Sequence, residues 1–204
     1  DGFQDLFITN GLKRDFRNND FRNYKKNIIE KAEKTENTNK KALIESLVNM
    51  TPKKQLVNYV YKGIEGVKFE NKVKDWGIDI KSFSNGLAYG DFDNDGALDL
   101  VVNNIDEEPF IYKNNSTTQQ LGNYLKITLK GSEKNSVGIG TKIEIFSNGK
   151  SQIRALHTTR GYQSSVEPIL HFGLNTIIKL DSLEVTWPDS KQETLYNIAS
   201  NQTL

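Results

Sequence analysis

The sequence predicts a mainly β protein with a helical insertion near its start and a small antiparallel β-sandwich or barrel at its end. Three observations lead to this prediction. A motif of the form Asp-Gly-x-x-Asp-Leu, followed by apolar residues, occurs at 1–12 and again at 95–106. A lysine-rich stretch with helical periodicity separates the two copies. From residue 58 on, short strand-like stretches alternate with Gly, Asn and Asp.

Composition limits what the chain can be. It has 204 residues, 36% hydrophobic and 26% charged, which is enough to bury the core of one domain or two small ones. The absence of cysteine excludes disulfides, thiolate metal sites and cysteine nucleophiles. No apolar stretch approaches the roughly 20 residues of a transmembrane helix, so we expect no membrane insertion. The chain begins inside the repeated motif without a signal-peptide pattern, so we expect it to be part of a longer protein.

The first element is a truncated copy of the repeat, residues 1–12, in which Asp1 aligns with Asp95 and Asp5 with Asp99. The two copies are 94 residues apart, whereas a blade-type repeat unit has roughly 40–50 residues. We therefore interpret the excess, residues 13–57, as a basic helical insertion.

The insertion shows apolar stripes at helical spacing over 28–32 and 42–50. Thr51-Pro52 is typical of a helix start and predicts a short third helix. Residues 13–62 hold thirteen Lys and Arg against six Asp and Glu, so this segment is basic and the rest of the chain acidic. We interpret the charge as a solvated helix face. Contact with the acidic body and a nucleic-acid patch are the alternatives.

Residues 58–118 contain four strand-like stretches around a group of aspartates, and we interpret them as one blade of the repeat. The polar stretch 116–123 is predicted to be a linker. Residues 123–204 then show six stretches typical of half-buried antiparallel strands, and Asn148-Gly149 predicts a tight hairpin between two of them. This pattern favours a small sandwich or barrel.

The group of aspartates has the spacing of a cation-binding loop. Positions 1, 3, 5, 7 and 9 of this loop are Asp91, Asp93, Asp95, Ala97 and Asp99. Oxygen ligands at this spacing, with glycine at position 6 for the sharp turn, wrap a hard cation. Four carboxylates and the backbone carbonyl of Ala97 suit Ca²⁺, whereas a loop without Cys or His argues against zinc.

Three other kinds of acidic loop have to be distinguished from this one. An EF-hand is excluded because its twelfth position is Val102, in a strand-like stretch, where an EF-hand has glutamate. An unoccupied acidic turn and a catalytic magnesium site are the two alternatives to structural Ca²⁺. The truncated copy keeps only Asp1 and Asp5, so we expect its site to be empty or weak.

Residues 84–114, with the stretch SNGLAYGDFDNDGALDLVVNN, resemble the FG-GAP/VCBS repeat, the calcium-binding blade of integrin-α-type β-propellers. The resemblance implies partial β-propeller blades and Ca²⁺ bound by the loop at 91–99. It also implies that the remaining blades of a longer chain are partners of this one.

Residues 123–204 resemble an ASPIC/UnbV domain. The matching residues are Asn135, Gly138, Gly140, Arg160-Gly161-Tyr162, His171-Phe172-Gly173-Leu174 and Trp187-Pro188-Asp189. Asn175 and Ser190 stand where the family usually has glycine, which affects turn geometry and not chemistry. The two resemblances together imply an extracellular, cell-surface or periplasmic protein with no established reaction.

We expect no catalytic residues, because neither His157 nor His171 is part of a nucleophile–base motif. The expected function is a non-catalytic, calcium-stabilised binding or adhesion module that recognises a glycan or a protein. One alternative is an accessory domain of a polysaccharide-acting enzyme, with Glu107, Glu108 and Glu167 as candidate carboxylates. The other is RNA binding through 13–62.

Overall fold

The structure is a computed structural model that describes residues 1–34, 39–65 and 67–204. The helices are α1 (Asn19–Glu33) and α2 (Lys40–Met50). The strands are β1 (Leu6–Ile8), β2 (Leu56–Val57), β3 (Tyr59–Ile64), β4 (Lys68–Asn71), β5 (Lys81–Ser82), β6 (Ser84–Gly90), β7 (Asp99–Asn104), β8 (Phe110–Tyr112), β9 (Asn123–Thr128), β10 (Lys142–Ser147), β11 (Lys150–Ala155), β12 (Ile169–Asn175), β13 (Lys179–Thr186), β14 (Gln192–Ala199) and β15 (Gln202–Thr203).

The predicted mainly β class with a helical insertion is confirmed. In the first half of the chain, β1, β3 and β4 form the first-repeat sheet, and β6, β7 and β8 form the aspartate-loop sheet. In the second half, a four-stranded sheet of order β11-β10-β13-β14 and a three-stranded sheet of order β12-β9-β15 form the sandwich. Strands β2 and β5 form a small additional pair.

The two copies of the repeated motif pair with their partner strands in the same register. The pairs at equivalent positions are Leu6–Tyr61 and Leu100–Tyr112, Phe7–Val60 and Val101–Ile111, and Ile8–Tyr59 and Val102–Phe110. The repeat therefore extends beyond the motif that the sequence revealed and includes the next strand of each sheet.

This pairing corrects the interpretation of 58–118 as one blade. Strand β3 pairs with β1 and β4, so it belongs to the first-repeat sheet and not to the aspartate-loop sheet. Both helices consequently lie in the connection between two paired strands, β1 and β3. An insertion at such a connection leaves the strand pairing intact, because the entropy of loop closure grows slowly with length.

Each helix of the insertion begins at an asparagine cap. The side chain of Asn18 accepts a hydrogen bond from the amide of Phe21, and Asn39 accepts one from Ala42. The prediction of a third helix beginning at Thr51 is wrong. Thr51 instead ends α2, where its hydroxyl donates to the carbonyl of Leu47, and the residues that follow form β2. The polar sequence at 34–40 predicts a loop between the two apolar stripes, and its residues 35–38 lie outside the described residues.

The first-repeat sheet stacks on the aspartate-loop sheet through one of its two faces. Val60 forms a small core with Val73 and Ile78, and Phe7 and Tyr112 pack against this core. Because side chains alternate across a strand, Phe7 and Val60 share one face of the first-repeat sheet, and Leu6, Ile8 and Tyr59 share the other.

The outer face of the first-repeat sheet is open. Ile8 and Tyr59 on this face are 43% and 46% exposed, although their equivalents in the aspartate-loop sheet face the stack. Val102, the equivalent of Ile8, is 0% exposed. Two equivalent positions of the repeat therefore have opposite environments.

The sandwich contains the main hydrophobic core. Its two sheets contribute fully buried side chains that include Leu125, Ile143, Phe172 and Leu183. Asn148 and Gly149 both have positive φ between β10 and β11, which confirms the predicted hairpin. Neither helix of the described residues has the length and apolarity that crossing a membrane requires.

The contrast between equivalent positions gives a first prediction. Val102→Ala should lower the free energy of unfolding by about 2 kcal/mol or more, because it removes buried methyl groups and leaves a cavity. Ile8→Ala removes more atoms but should cost less than about 1 kcal/mol, because the side chain is already half in water. Urea unfolding of both variants measures the difference, and equal losses would contradict the described stacking.

A second prediction concerns Ser190. It has a φ of 69°, in the region that glycine adopts without strain, and Asn175 has a φ of 51°. Ser190→Gly should therefore stabilise the protein by roughly 0.5–1 kcal/mol, whereas Asn175→Gly should gain less because asparagine tolerates this conformation. Thermal unfolding compares the two variants. A loss of stability in Ser190→Gly would mean that the serine makes a contact worth more than its strain.

Candidate metal centre

The candidate metal centre is the loop of residues 91–98 between β6 and β7. Hydrogen bonds from loop amides to its carboxylates hold the turn. Asp91 Oδ2 accepts from the amide of Gly96 at 3.0 Å, and Asp95 Oδ1 accepts from Ala97 at 2.9 Å. Gly96 has a φ of 93°, so the residue that the sequence predicted to allow the sharp turn does adopt a left-handed conformation.

Three of the predicted ligands lie together. Asp91, Asp93 and Asp99 each place one carboxylate oxygen within 4.8 Å of the other two. Asp95 and Ala97 lie in the same loop but outside this group of three. Asp91 and Asp99 are buried, at 9% and 3% exposure, whereas Asp93 is exposed.

One oxygen of this cluster is buried and unpartnered. Asp91 Oδ1 is shielded from solvent and has no hydrogen-bond partner among the described residues. Asp99 is different, because its two oxygens accept from the amides of Phe92, at 3.1 Å, and Asn114, at 2.8 Å. An ionised oxygen that is buried without a partner is costly, so Asp91 Oδ1 is a candidate ligand for a cation.

Two lysines also offset the repulsion among the carboxylates. Lys126 Nζ donates to Asp91 Oδ2 at 2.7 Å, and Lys113 Nζ pairs with Asp93. The hydrogen bond from Lys113 lowers the pKa of Asp93, and the hydrogen bonds to Asp93 and Asp91 raise the pKa of Lys113 and Lys126.

Sequence reasoning missed both lysines. Lys126 occupies an outward position between Leu125 and Ile127 in β9, which reads as a solvent-exposed strand position. Lys113 follows β8, and its counterpart in the first-repeat sheet is Lys62. A lysine shared by the second strand of each copy is therefore the sequence signal for Lys113, whereas nothing in the sequence indicates Lys126.

The sandwich covers the loop on one side. His171 Nε2 lies 2.7 Å from the carbonyl oxygen of Gly96, and its ring stacks on that of Tyr124 with centroids 5.9 Å apart. Burial lowers the pKa of His171, so the neutral form that donates from Nε2 fits this contact. The histidine is thus used in packing against the loop.

The truncated copy keeps the second half of the same loop geometry. Asp1 Oδ1 accepts from the amide of Phe3 as Asp95 Oδ1 does from Ala97. Asp5 Oδ1 accepts from Gly63 at 2.8 Å, which is equivalent to the bond from Asn114 to Asp99. The sandwich also contacts this copy, because Arg154 Nη2 donates to the carbonyl of Gly2 at 3.0 Å.

Gly2 and Gly96 are equivalent in the repeat, so the sandwich binds both loops through the same backbone carbonyl. Gly96 also has a side chain of the sandwich directly against its Cα atom. A methyl group added at this Cα would overlap the ring of Tyr124.

The close approach at Gly96 gives a third prediction. Gly96→Ala should be destabilising by several kcal/mol, because it adds a clash with Tyr124 to the strain of a positive φ. Gly77→Ala is the matched control, since Gly77 has a φ of 68° and open space around it, and it should cost only about 1–2 kcal/mol. Urea unfolding measures both. Equal costs would show that Tyr124 does not lie against the loop in solution.

Residues 131–204 match the sequence model of the family described as ASPIC and UnbV. Strand β9, which supplies two buried residues of the sandwich core, precedes this range, so the sandwich begins earlier, at residue 123.

Three relatives share more of the chain. Cartilage acidic protein 1 of Xenopus tropicalis is 31% identical over 110 residues, which are 52% of this chain and 16% of the relative. The Homo sapiens protein of the same name is 29% identical over 121 residues, 57% of this chain and 18% of the relative. The Mus musculus protein is 30% identical over 110 residues, 52% and 16% respectively.

The matched part of the chain thus spans less than a fifth of the length of each of these relatives. The resemblance of the C-terminal part is confirmed: residues 131–204, within the sandwich, are similar to the ASPIC and UnbV family.

Proposed function

We propose that this chain is a non-catalytic, calcium-stabilised module of an extracellular or cell-surface protein. The observation behind this proposal is the buried, unpartnered oxygen of Asp91 inside a cluster of three carboxylates. Asp91, Asp93, Asp95 and Asp99 with the carbonyl of Ala97 would hold the ion. Oxygen-only ligands in a flexible loop fit Ca²⁺, which accepts about six to eight oxygens, better than Mg²⁺, which keeps its waters.

The ion would act as a structural cross-link. Transferring an ionised carboxylate from water into the protein interior costs several kcal/mol unless a partner compensates the charge. A bound cation supplies that compensation only in the folded state. Calcium binding would therefore appear as folding stability. The loop is already shaped by amide-to-carboxylate bonds, so binding requires little rearrangement of the backbone.

An extracellular location is proposed from the similarity to proteins named for cartilage and from the loop itself. Calcium sites of extracellular modules typically have dissociation constants of about 0.1–1 mM. A single loop in which lysines already neutralise two of the carboxylates suits this weak range.

The proposed partners are a glycan or a protein and further repeat units of the same type. The open face of the first-repeat sheet supports the proposal that further repeat units are partners. On the aspartate-loop sheet, the equivalent face is covered by the Val60 face of the preceding unit. A further unit that presents a face like that of Phe7 and Val60 would cover Ile8 and Tyr59 in the same way.

The proposal of no catalysis is supported by how the candidate groups are used. His171 packs on Gly96, and Glu107 accepts from the amide of Phe83 and pairs with Gln55. Glu167 lies on the sandwich, before β12.

Phe21 of the basic insertion is buried, which leaves fewer aromatic rings for stacking on RNA. Lys13 instead pairs with Asp106 of the acidic body.

The calcium proposal predicts the following. Addition of about 5 mM Ca²⁺ after EDTA treatment should raise the free energy of unfolding by about 1–2 kcal/mol, which is a rise in Tm of roughly 3–6 °C. Asp93→Asn should greatly reduce this rise, because it replaces one charged ligand by a neutral amide oxygen. Thermal unfolding with Ca²⁺, Mg²⁺ and EDTA at matched ionic strength measures both effects.

Asp189→Asn is the control for this experiment. Asp189 is also exposed and paired with a lysine, Lys191, but it lies outside the carboxylate cluster. The control variant should keep the full response to Ca²⁺. A wild-type protein that is indifferent to Ca²⁺ and contains no bound metal by elemental analysis would overturn the proposal.

A further inference from the structure

We infer that Lys126 is a built-in counter-cation of the aspartate loop, through which the sandwich keeps the loop folded without metal and weakens its affinity for Ca²⁺. This inference rests on the proposed function, because it concerns the regulation of the same site. It assigns a role to a residue of the sandwich, outside the loop that supplies the ligands.

The contact between Lys126 and Asp91 is almost free of solvent. The side chains are 11% and 1% exposed, and their charged atoms lie 2.7 Å apart. Lys113, which pairs with Asp93, is 55% exposed and can move into solvent when an ion arrives. Lys126 has less freedom, because its neighbours Leu125 and Ile127 are anchored in the sandwich core on the other face of β9.

The two oxygens of Asp91 have different tasks. Oδ2 accepts from Lys126 and from the amide of Gly96, whereas Oδ1 is buried and unpartnered. A cation can therefore bind Oδ1 while Lys126 stays on Oδ2. The lysine then lies close to the ion as a fixed positive charge, and like charges in a water-poor site repel strongly.

Orientation of Asp91 does not depend on the lysine alone. The amide of Gly96 holds the same oxygen, and burial restricts the side chain. Loss of the lysine should therefore remove its repulsion of the bound ion while the Asp91 side chain keeps most of its orientation. Calcium should then bind more tightly. Without metal, the same loss leaves Asp91 buried without its ammonium partner, so the protein should be less stable.

This arrangement links two events on different parts of the chain. The sandwich brings Lys126 to the loop, and a bound cation weakens the attraction of Asp91 for Lys126. Coupling between two binding equilibria is reciprocal. The free energy by which calcium weakens the contact between Lys126 and Asp91 should therefore equal the free energy by which this contact weakens calcium binding. The bond of His171 to Gly96 and the packing of Tyr124 keep the sandwich in place meanwhile.

The test compares the wild-type chain with Lys126→Met, Lys126→Gln and Lys191→Met. Glutamine removes the charge but can still donate to Asp91, so it separates charge from hydrogen bonding. Lys191 pairs with the exposed Asp189 on the sandwich, away from the loop, and is the control. Calorimetric titration with Ca²⁺ gives the Kd, and thermal unfolding in EDTA gives the stability without metal.

We expect Lys126→Met and Lys126→Gln to bind Ca²⁺ at least about tenfold more tightly and to have a lower Tm in EDTA than the wild type. Lys191→Met should match the wild type in both measurements. If Lys126→Met is unfolded in EDTA, Lys126→Gln alone gives the Kd, and the same gain in affinity is expected for it.

Unchanged or weaker Ca²⁺ binding in Lys126→Gln, together with normal binding by the wild type, would overturn this inference alone. Absence of Ca²⁺ binding in the wild type and in all variants would instead overturn the proposed function, and this inference with it. An equal loss of Tm with and without Ca²⁺ would show that Lys126 only supports the fold.

Discussion

The burial of Asp91 is the constraint on which the arrangement of this protein depends. A carboxylate with 1% of its side chain exposed must be compensated by its surroundings, and two compensating groups are present in the described residues. The loop supplies the amide of Gly96 and the sandwich supplies Lys126, whereas Oδ1 has no partner there and is the atom on which the proposed cation would bind. The loop, the sandwich and the candidate ion are thus joined at one side chain.

The sandwich contacts both repeat units through equivalent backbone carbonyls, with one residue from each of its two sheets. Arg154 donates to the carbonyl of Gly2, and His171 binds the carbonyl of Gly96. A glycine is needed at Gly96 for two independent reasons, its positive φ and the ring of Tyr124 against its Cα. A residue that looks like ordinary turn chemistry in the sequence is also the point of closest approach between two parts of the chain.

The helical insertion shows that this repeat accommodates a long connection between two paired strands. It lies between β1 and β3, which pair in the register of their counterparts β7 and β8. The polar contacts that fix each unit, such as Gly63 to Asp5 and Asn114 to Asp99, are formed by residues outside the insertion. The paired strands β1 and β3 therefore match β7 and β8, although the connections between the two strands of each pair differ greatly in length.

The sequence by itself determined the mainly β class, six of the seven strands of the sandwich, the Asn148-Gly149 hairpin and the spacing of the aspartates. Each depends on local periodicity or on turn residues whose conformational preferences act over a few positions. It failed at Thr51, where helix-start chemistry was overridden by the pairing of the next residues, Leu56 and Val57, with β5.

Only the tertiary structure decided which strands share a sheet and which groups meet at the loop. The assignment of β3 to the first-repeat sheet depends on a partner about fifty residues away in sequence. Lys126 faces Asp91 because β9 of the sandwich lies against the loop between β6 and β7, and strand alternation says only that it points away from the core. Long-range pairing and domain contact leave no local pattern in a single sequence, and the candidate site depends on both.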